Sequence, residues 1–208
     1  PPRVDLAAGD GGEVSAAPPV TGFPGTAVSR RVGRHRFELD ARCFFQGHEG
    51  LLADLVREVC GRWRGGVALD LFAGVGLFAV PLAERYERVV AVESDRIAAR
   101  YTRRNARAAG GRIAVEGRSV EGFLERWRDP VDRVVVDPPR SGLGRPAKRA
   151  LRRLAAPRLT YASCNPATLA RDLRDLADDY TVESVCLLDL FPQTGHIETV
   201  VQLGLIAS

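Results

Sequence analysis

The sequence contains no methionine and a single lysine, Lys148, and its four cysteines, Cys43, Cys60, Cys164 and Cys186, form no CxxC pair. That scatter provides neither a zinc site nor an iron–sulfur cluster with its usual ligand spacing, so we expect no metal and reduced thiols of a cytoplasmic protein. No run approaches the roughly 18 apolar residues that span a bilayer, and the N-terminus lacks the basic-then-apolar order of a signal peptide. With the abrupt Pro1-Pro2 start, the missing methionine leads us to expect a fragment or a processed chain.

What is present is 208 residues of 45% hydrophobic content, enough for one well-buried α/β domain and little more. The formal net charge of +4 suits a polyanionic partner such as RNA, though a modest excess is also common in enzymes of small molecules. Almost all the positive charge is arginine, which can fork onto phosphates and stack on bases. A GC-rich coding bias produces the same composition.

Residues 1–27 are rich in Pro, Gly, Ala and Ser without periodicity, the composition of a linker or weakly ordered arm with no core of its own. From residue 28 to residue 208 we expect one folded domain. Val32, Phe37 and Leu39 read as a strand pair or extended arm, and Leu51, Leu52, Leu55, Val56 and Val59 as a helix from about Glu49 to Trp63. Apolar β-rich runs follow at 67–72, 88–94, 112–117, 132–139 and 158–164, separated by amphipathic stretches. Such strands linked by helices predict a parallel sheet covered on both faces. The runs at 182–191 and 196–203 have only a short connection and predict an antiparallel pair at an edge. Seven strands with a terminal hairpin are the class I S-adenosylmethionine-dependent methyltransferase arrangement of the doubly wound, Rossmann-like α/β fold.

LDLFAGVG (69–76) places Gly74 and Gly76 at the turn after the first strand, where a missing Cβ lets backbone approach a ligand. Without a full GxGxxG pattern, this turn fits a methionine-sulfonium cofactor better than a dinucleotide. Glu93 closes the next strand, where an acid can accept both ribose hydroxyls, while Asp95 is placed to cap the following helix. DRVVVDPP ends a buried strand in Asp137, and its two prolines force a rigid turn at the sheet's C-terminal edge, where ligands of open α/β sheets bind.

The next strand ends YASCNP, which brings Cys164 to the same edge beside a helix N-terminus whose dipole favours a thiolate. Cys43, Cys60 and Cys186 read as small buried hydrophobes. Glu198, near the start of the final strand among Ile197, Val200 and Val201, is either a satisfied structural acid or a base with a raised pKa. His196 competes for that role.

Assembled in this order, CFFQ (43–46), LDLFAGVG (69–76), DPPRSGL (137–143), YASCNPATLARDL (161–173) and DLFPQTGHIETV (189–200) resemble the RNA uracil-5 methyltransferase family, from about Phe44 to Leu203. The resemblance implies 5-methyluridine formation in tRNA or ribosomal RNA. It also implies that Gln46, Phe72, Glu93 and Asp137, with the Gly74 turn, contact S-adenosylmethionine, that Cys164 is the nucleophile and that Glu198 is the base. Two positions depart from the family pattern: Leu77 stands where many members have Asn, and QGHEG (46–50) replaces a more polar segment. The family's N-terminal RNA-binding domain and cysteine cluster are absent from this sequence. An RNA cytosine-5 methyltransferase would carry a second cysteine in the Asp-Pro motif, which DPPR lacks. A degenerate domain that binds RNA or cofactor without turnover is the non-enzymatic alternative.

Overall fold

Two antiparallel hairpins come first in the computed structural model, which describes residues 3–110, 112–194 and 196–206. β1 (Asp5–Ala8) pairs with β2 (Val14–Ala17), and β3 (Val28–Val32) pairs with β4 (His35–Leu39). The first hairpin corrects the expectation of a coreless arm over residues 1–27, since Ser15 and Ala16 are buried. Its order comes from polar tethers to later segments. The Glu13 carboxylate accepts from the Ser29 amide, Asp10 from the Arg31 amide, and Ser15 Oγ from the Ala41 amide. Tethers of this kind leave no apolar periodicity to read. Pro1 and Pro2 lie outside the described residues.

Helix α1 (Glu49–Cys60) stops before Trp63 because Gly61 takes a positive φ of 59° and its amide turns back to the Arg57 carbonyl. Trp63 then lies under the Arg133 guanidinium, 4.6 Å from the ring centre, and that buried arginine donates to the Val59 carbonyl at 2.5 Å and to Thr160 Oγ1 at 2.6 Å. These bonds fasten the end of α1 to the sheet at the edge opposite the site described below.

The sheet is built from β5 (Gly65–Leu71), β6 (Tyr86–Val92), β7 (Ile113–Glu116), β8 (Arg133–Val136), β9 (Arg158–Ser163), β10 (Tyr180–Leu188) and β11 (Glu198–Leu205). Its order is β10-β11-β9-β8-β5-β6-β7, with β5 to β9 parallel and β11 antiparallel to both of its neighbours. This is the class I, doubly wound arrangement expected from the runs of apolar residues. The pairing adds that the last strand is not the edge strand, because β11 is inserted between β9 and β10. Connections run through α2 (Ala79–Leu82), α3 (Arg96–Ala108), α4 (Val120–Leu124), α5 (Arg145–Leu154) and α6 (Pro166–Leu176).

Alternation along the strands divides the core in two. Ala68, Val89, Val135 and Val200 face a layer that includes α1 and α2, while Leu69, Val90, Val134 and Val201 face α4, α5 and α6. Side chains one residue apart on a strand point to opposite faces, and burial on both faces is what makes the strands read as unbroken apolar runs. The β3–β4 hairpin shares a third, smaller cluster with α3, joining Val28 and Leu39 to Ala98 and Tyr101.

Candidate active site

The register of the sheet sets the site. Leu71 on β5 pairs with Val92 on β6 and with Val136 on β8, so Phe72, Glu93 and Asp137 each follow the last paired residue of adjoining strands. On the other side, Ser163 on β9 pairs antiparallel with Thr199 on β11. The next residues beyond that pair, Cys164 and Glu198, stand at the same end of the ladder and both line the cavity. Five side chains are thereby carried to one edge by backbone pairing alone, around a cavity of about 630 Å³. Gln46, Phe72, Gly74, Glu93, Asp137, Cys164 and Glu198 all line it. His196 does not, and its ring packs edge-on against Phe191.

The cofactor half begins with the turn after β5. Gly74 and Gly76 hold φ of 55° and 91°, and a Cβ on Gly74 would project into open space. Phe72 takes φ of 67° without being glycine, a left-handed conformation costing about 1–2 kcal/mol. Helix α3 fixes this turn. Thr102 Oγ1 donates to the Gly74 carbonyl at 2.6 Å, and Asn105 Nδ2 donates to the Val75 carbonyl at 2.9 Å. Asp95 caps α3, accepting from Ile97 N and Ala98 N. Glu93 is therefore free of that duty. Its two oxygens instead accept from Gly74 N at 2.8 Å and Asp95 N at 2.7 Å, which orients the carboxylate and leaves lone pairs for a ligand. Gln46 is buried with no partner for its Oε1 among the described residues, the state of a group built to meet a ligand donor.

The chemical half is acidic and dry. Glu198 is 1% exposed, and neither carboxylate oxygen has a partner among the described residues. Burial, then the neighbouring Asp137 charge, push its pKa to about 8. Burial likewise lifts Asp137 to about 7. A third acid was not singled out in the sequence. Asp70, one residue before Leu71 on β5, is fully buried with no partner for either oxygen among the described residues, and burial raises it to about 8. Its position inside an apolar strand signals this, since an acid there has no solvent to face.

The expected thiolate-favouring helix end does not act on Cys164 as the sequence implied. Asn165 caps α6 with its own Oδ1, accepting from Ala167 N and Thr168 N, so these amides are occupied. Burial, then the charge of Glu198, raise the Cys164 thiol, and Arg140 opposes them. Arg140, a position the sequence reading did not single out, is a cation of the same cavity. Cys43 also lines the cavity, but burial holds its thiol at about 11. Leu77, at the family's Asn position, is an apolar part of the wall. Phe44 stands 72% exposed at the rim.

Residues 123–205 match the family described as tRNA (Uracil-5-)-methyltransferase. An uncharacterized RNA methyltransferase of Thermotoga maritima is 36% identical over 173 residues, covering 81% of this chain and 39% of the relative. This chain belongs to the RNA uracil-5 methyltransferase family. A family member named tRNA (uracil(54)-C(5))-methyltransferase, from Pyrococcus abyssi, is 37% identical over 165 residues, 77% of this chain and 38% of that protein. The solved structure of the Pyrococcus abyssi tRNA (uracil-54, C5)-methyltransferase, in complex with S-adenosyl-L-homocysteine, superimposes with a TM-score of 0.78 at 32% identity, covering 87% of this chain and 45% of that one. The chain thus spans about two fifths of the length of the curated relatives it matches. Among the described residues no helix is long and apolar enough to cross a membrane, and no group of three or more His, Cys, Asp or Glu side chains is placed to hold a metal ion.

Proposed function

We propose that this chain, over residues 28–208, is the catalytic unit of an S-adenosylmethionine-dependent methyltransferase that forms 5-methyluridine in tRNA or ribosomal RNA. The observation that carries this reading is the presence of both Cys164 and Glu198 at one end of the β9–β11 ladder, beside a glycine turn and an oriented acid. Glu93, Gln46 and the open space at Gly74 suit a ligand with a ribose diol and polar termini. When bound, S-adenosylmethionine supplies an electrophilic methyl group for carbon 5 of the base.

The remaining chemistry belongs to the protein. Carbon 5 of uracil is a weak nucleophile, and addition of the Cys164 thiolate to carbon 6 converts the ring to an enolate with electron density at carbon 5. Once carbon 5 carries the methyl group, the Glu198 carboxylate removes the proton left there. The electron pair of that C–H bond restores the ring double bond, and the C–S bond breaks to regenerate the thiolate. Dryness around Glu198 suits this role, because a base with a pKa near 8 accepts a proton more readily than an exposed carboxylate does. Phe44 at the rim offers a face on which a base removed from its stack can rest.

The test is mass spectrometry of nucleosides from tRNA and ribosomal RNA incubated with the chain and methyl-labelled cofactor. Labelled 5-methyluridine is the expected product, and Cys164→Ala should abolish it while cofactor binding by calorimetry persists. Labelled 5-methylcytidine would replace this reading with cytosine chemistry. Absence of cofactor binding would leave a non-catalytic domain.

A further inference from the structure

The loop that follows Asp137 is held by α6 through its backbone. Thr168 Oγ1 reaches the Arg140 carbonyl and, within its own helix, the Asn165 carbonyl, both at 3.1 Å, and Asn165 Nδ2 donates to the Arg140 oxygen at 3.4 Å. One turn on, Arg171 donates to the Ser141 carbonyl at 2.7 Å and the Asp172 carboxylate accepts from the Leu143 amide at 2.6 Å. The last two bonds shape the loop as a whole. The Thr168 and Asn165 bonds converge on Arg140, the cation among the groups around Cys164.

Arg140 and Cys164 line the same cavity wall, and Arg140 forms no ion pair among the described residues. The other arginine of the cavity, Arg42, is bound to Asp40. The groups facing the sulfur are thus Asp137 from the end of β8, Glu198 from the start of β11, and Arg140 from the loop between β8 and α5. Two of these oppose a thiolate and one favours it. An arginine side chain is long and loses its effect when it swings away, so the fixed backbone beneath it matters.

We propose that Thr168 and Asn165 are positioning residues that hold the Arg140 carbonyl, keep its guanidinium beside the Cys164 sulfur, and so make that thiol a competent nucleophile. The inference rests on Cys164 being the attacking group. Thiol reactivity is nevertheless a property of the free protein and is measured without RNA or cofactor. Asn165 has two functions here, since its Oδ1 caps α6 while its Nδ2 holds Arg140. Thr168 has one hydroxyl to lose.

The experiment is the rate of Cys164 alkylation by iodoacetamide as a function of pH in the full chain, read from the Cys164 peptide by mass spectrometry so that Cys43, Cys60 and Cys186 are counted separately. Thr168→Val removes the donor at nearly constant shape, and Asn165→Ser keeps a helix cap but cannot reach Arg140. Each should move the alkylation midpoint upward by roughly 0.5–1 pH unit and slow the reaction at pH 7 about 3- to 10-fold. Thr168→Ser should restore wild-type behaviour. In an Arg140→Ala background, Thr168→Val should have no further effect, which a merely structural role would not predict. Unchanged midpoints in the folded variants, or an equal shift without Arg140, would overturn the assignment. If one variant fails to fold, the other decides. Variants that show these shifts, beside a wild type that forms no 5-methyluridine, would remove the proposed function and leave the positioning role intact.

Discussion

Glu198 concentrates the pH behaviour of the molecule in one side chain. With a folded pKa of about 8 against 4.5 for the free group, it holds its proton at neutral pH, and in the proposed role of base it must first ionise. Turnover should therefore rise as pH increases through about 8, and a profile flat between pH 6.5 and 9 would exclude it as the base. Stability should move the other way. Between pH 4.5 and about 8 the unfolded chain gives up a proton that the folded chain keeps, so stability contributed by this group falls as pH rises across that window. Glu198→Gln lacks this loss, and its melting temperature should gain on the wild type as pH is raised from 5 to 8. The same variant should still allow thiolate addition but not elimination, so RNA should accumulate as an adduct that survives denaturing electrophoresis and vanishes with Cys164→Ala. Glu93 gives the complementary test on the cofactor side. Glu93→Ala should weaken S-adenosylmethionine binding by about 1.5–3 kcal/mol, since charge-assisted hydrogen bonds have that magnitude, with isothermal calorimetry as the measurement. All seven residues singled out in the sequence line the cavity. Arg140 and Asp70 were not legible as parts of it, because which side chains of a loop or an apolar strand reach the cavity is set by the fold and not by spacing.

At the scale of elements, α6 is the organiser of the chemical half. Its Asp172 is fully buried and accepts from Tyr161 Oη at 2.8 Å, Leu143 N at 2.6 Å and Lys148 Nζ at 3.0 Å, joining β9, the loop after β8 and α5. Burial alone would raise this acid, but the Leu143 amide, Lys148, Tyr161 and Arg171 together hold it below its ordinary value. Asp172→Ala should cost about 3–5 kcal/mol in denaturant unfolding, because the buried Tyr161 hydroxyl and Leu143 amide would lose their acceptor and Lys148 would keep only Asp175. A loss below 1 kcal/mol would mean that the network is slack. Strands were the most legible elements, since an apolar run buried on both faces has few other readings. The end of α1 was less so: Leu51 to Val59 carries the helical period, yet Gly61, not the period, decides where the helix stops. Strand order was the least legible, because the insertion of β11 between β9 and β10 is set by side chains distant in sequence.

For the molecule as a whole, the N-terminal hairpins determine how much chain the catalytic unit requires. Ser15 satisfies the backbone amide of Ala41 just after β4, and Glu13 and Asp10 satisfy those of Ser29 and Arg31 within β3, the hairpin packed on α3. Deleting residues 1–27 should lower the melting temperature and weaken cofactor binding together, because α3 also pins the glycine turn. Equal melting curves with and without the segment would show it to be dispensable. The inserted last strand has a further consequence, which concerns the order in which the chain is made. A ribosome delivers the glycine turn, Glu93, Asp137 and Cys164 well before Glu198, and the slot beside β9 stays open until β11 emerges to fill it. Under the proposed reaction, a polypeptide interrupted before that strand would carry the attacking sulfur but no group to release what it attacks, so completion of synthesis and completion of the reaction cycle would depend on the same eight residues, Glu198–Leu205.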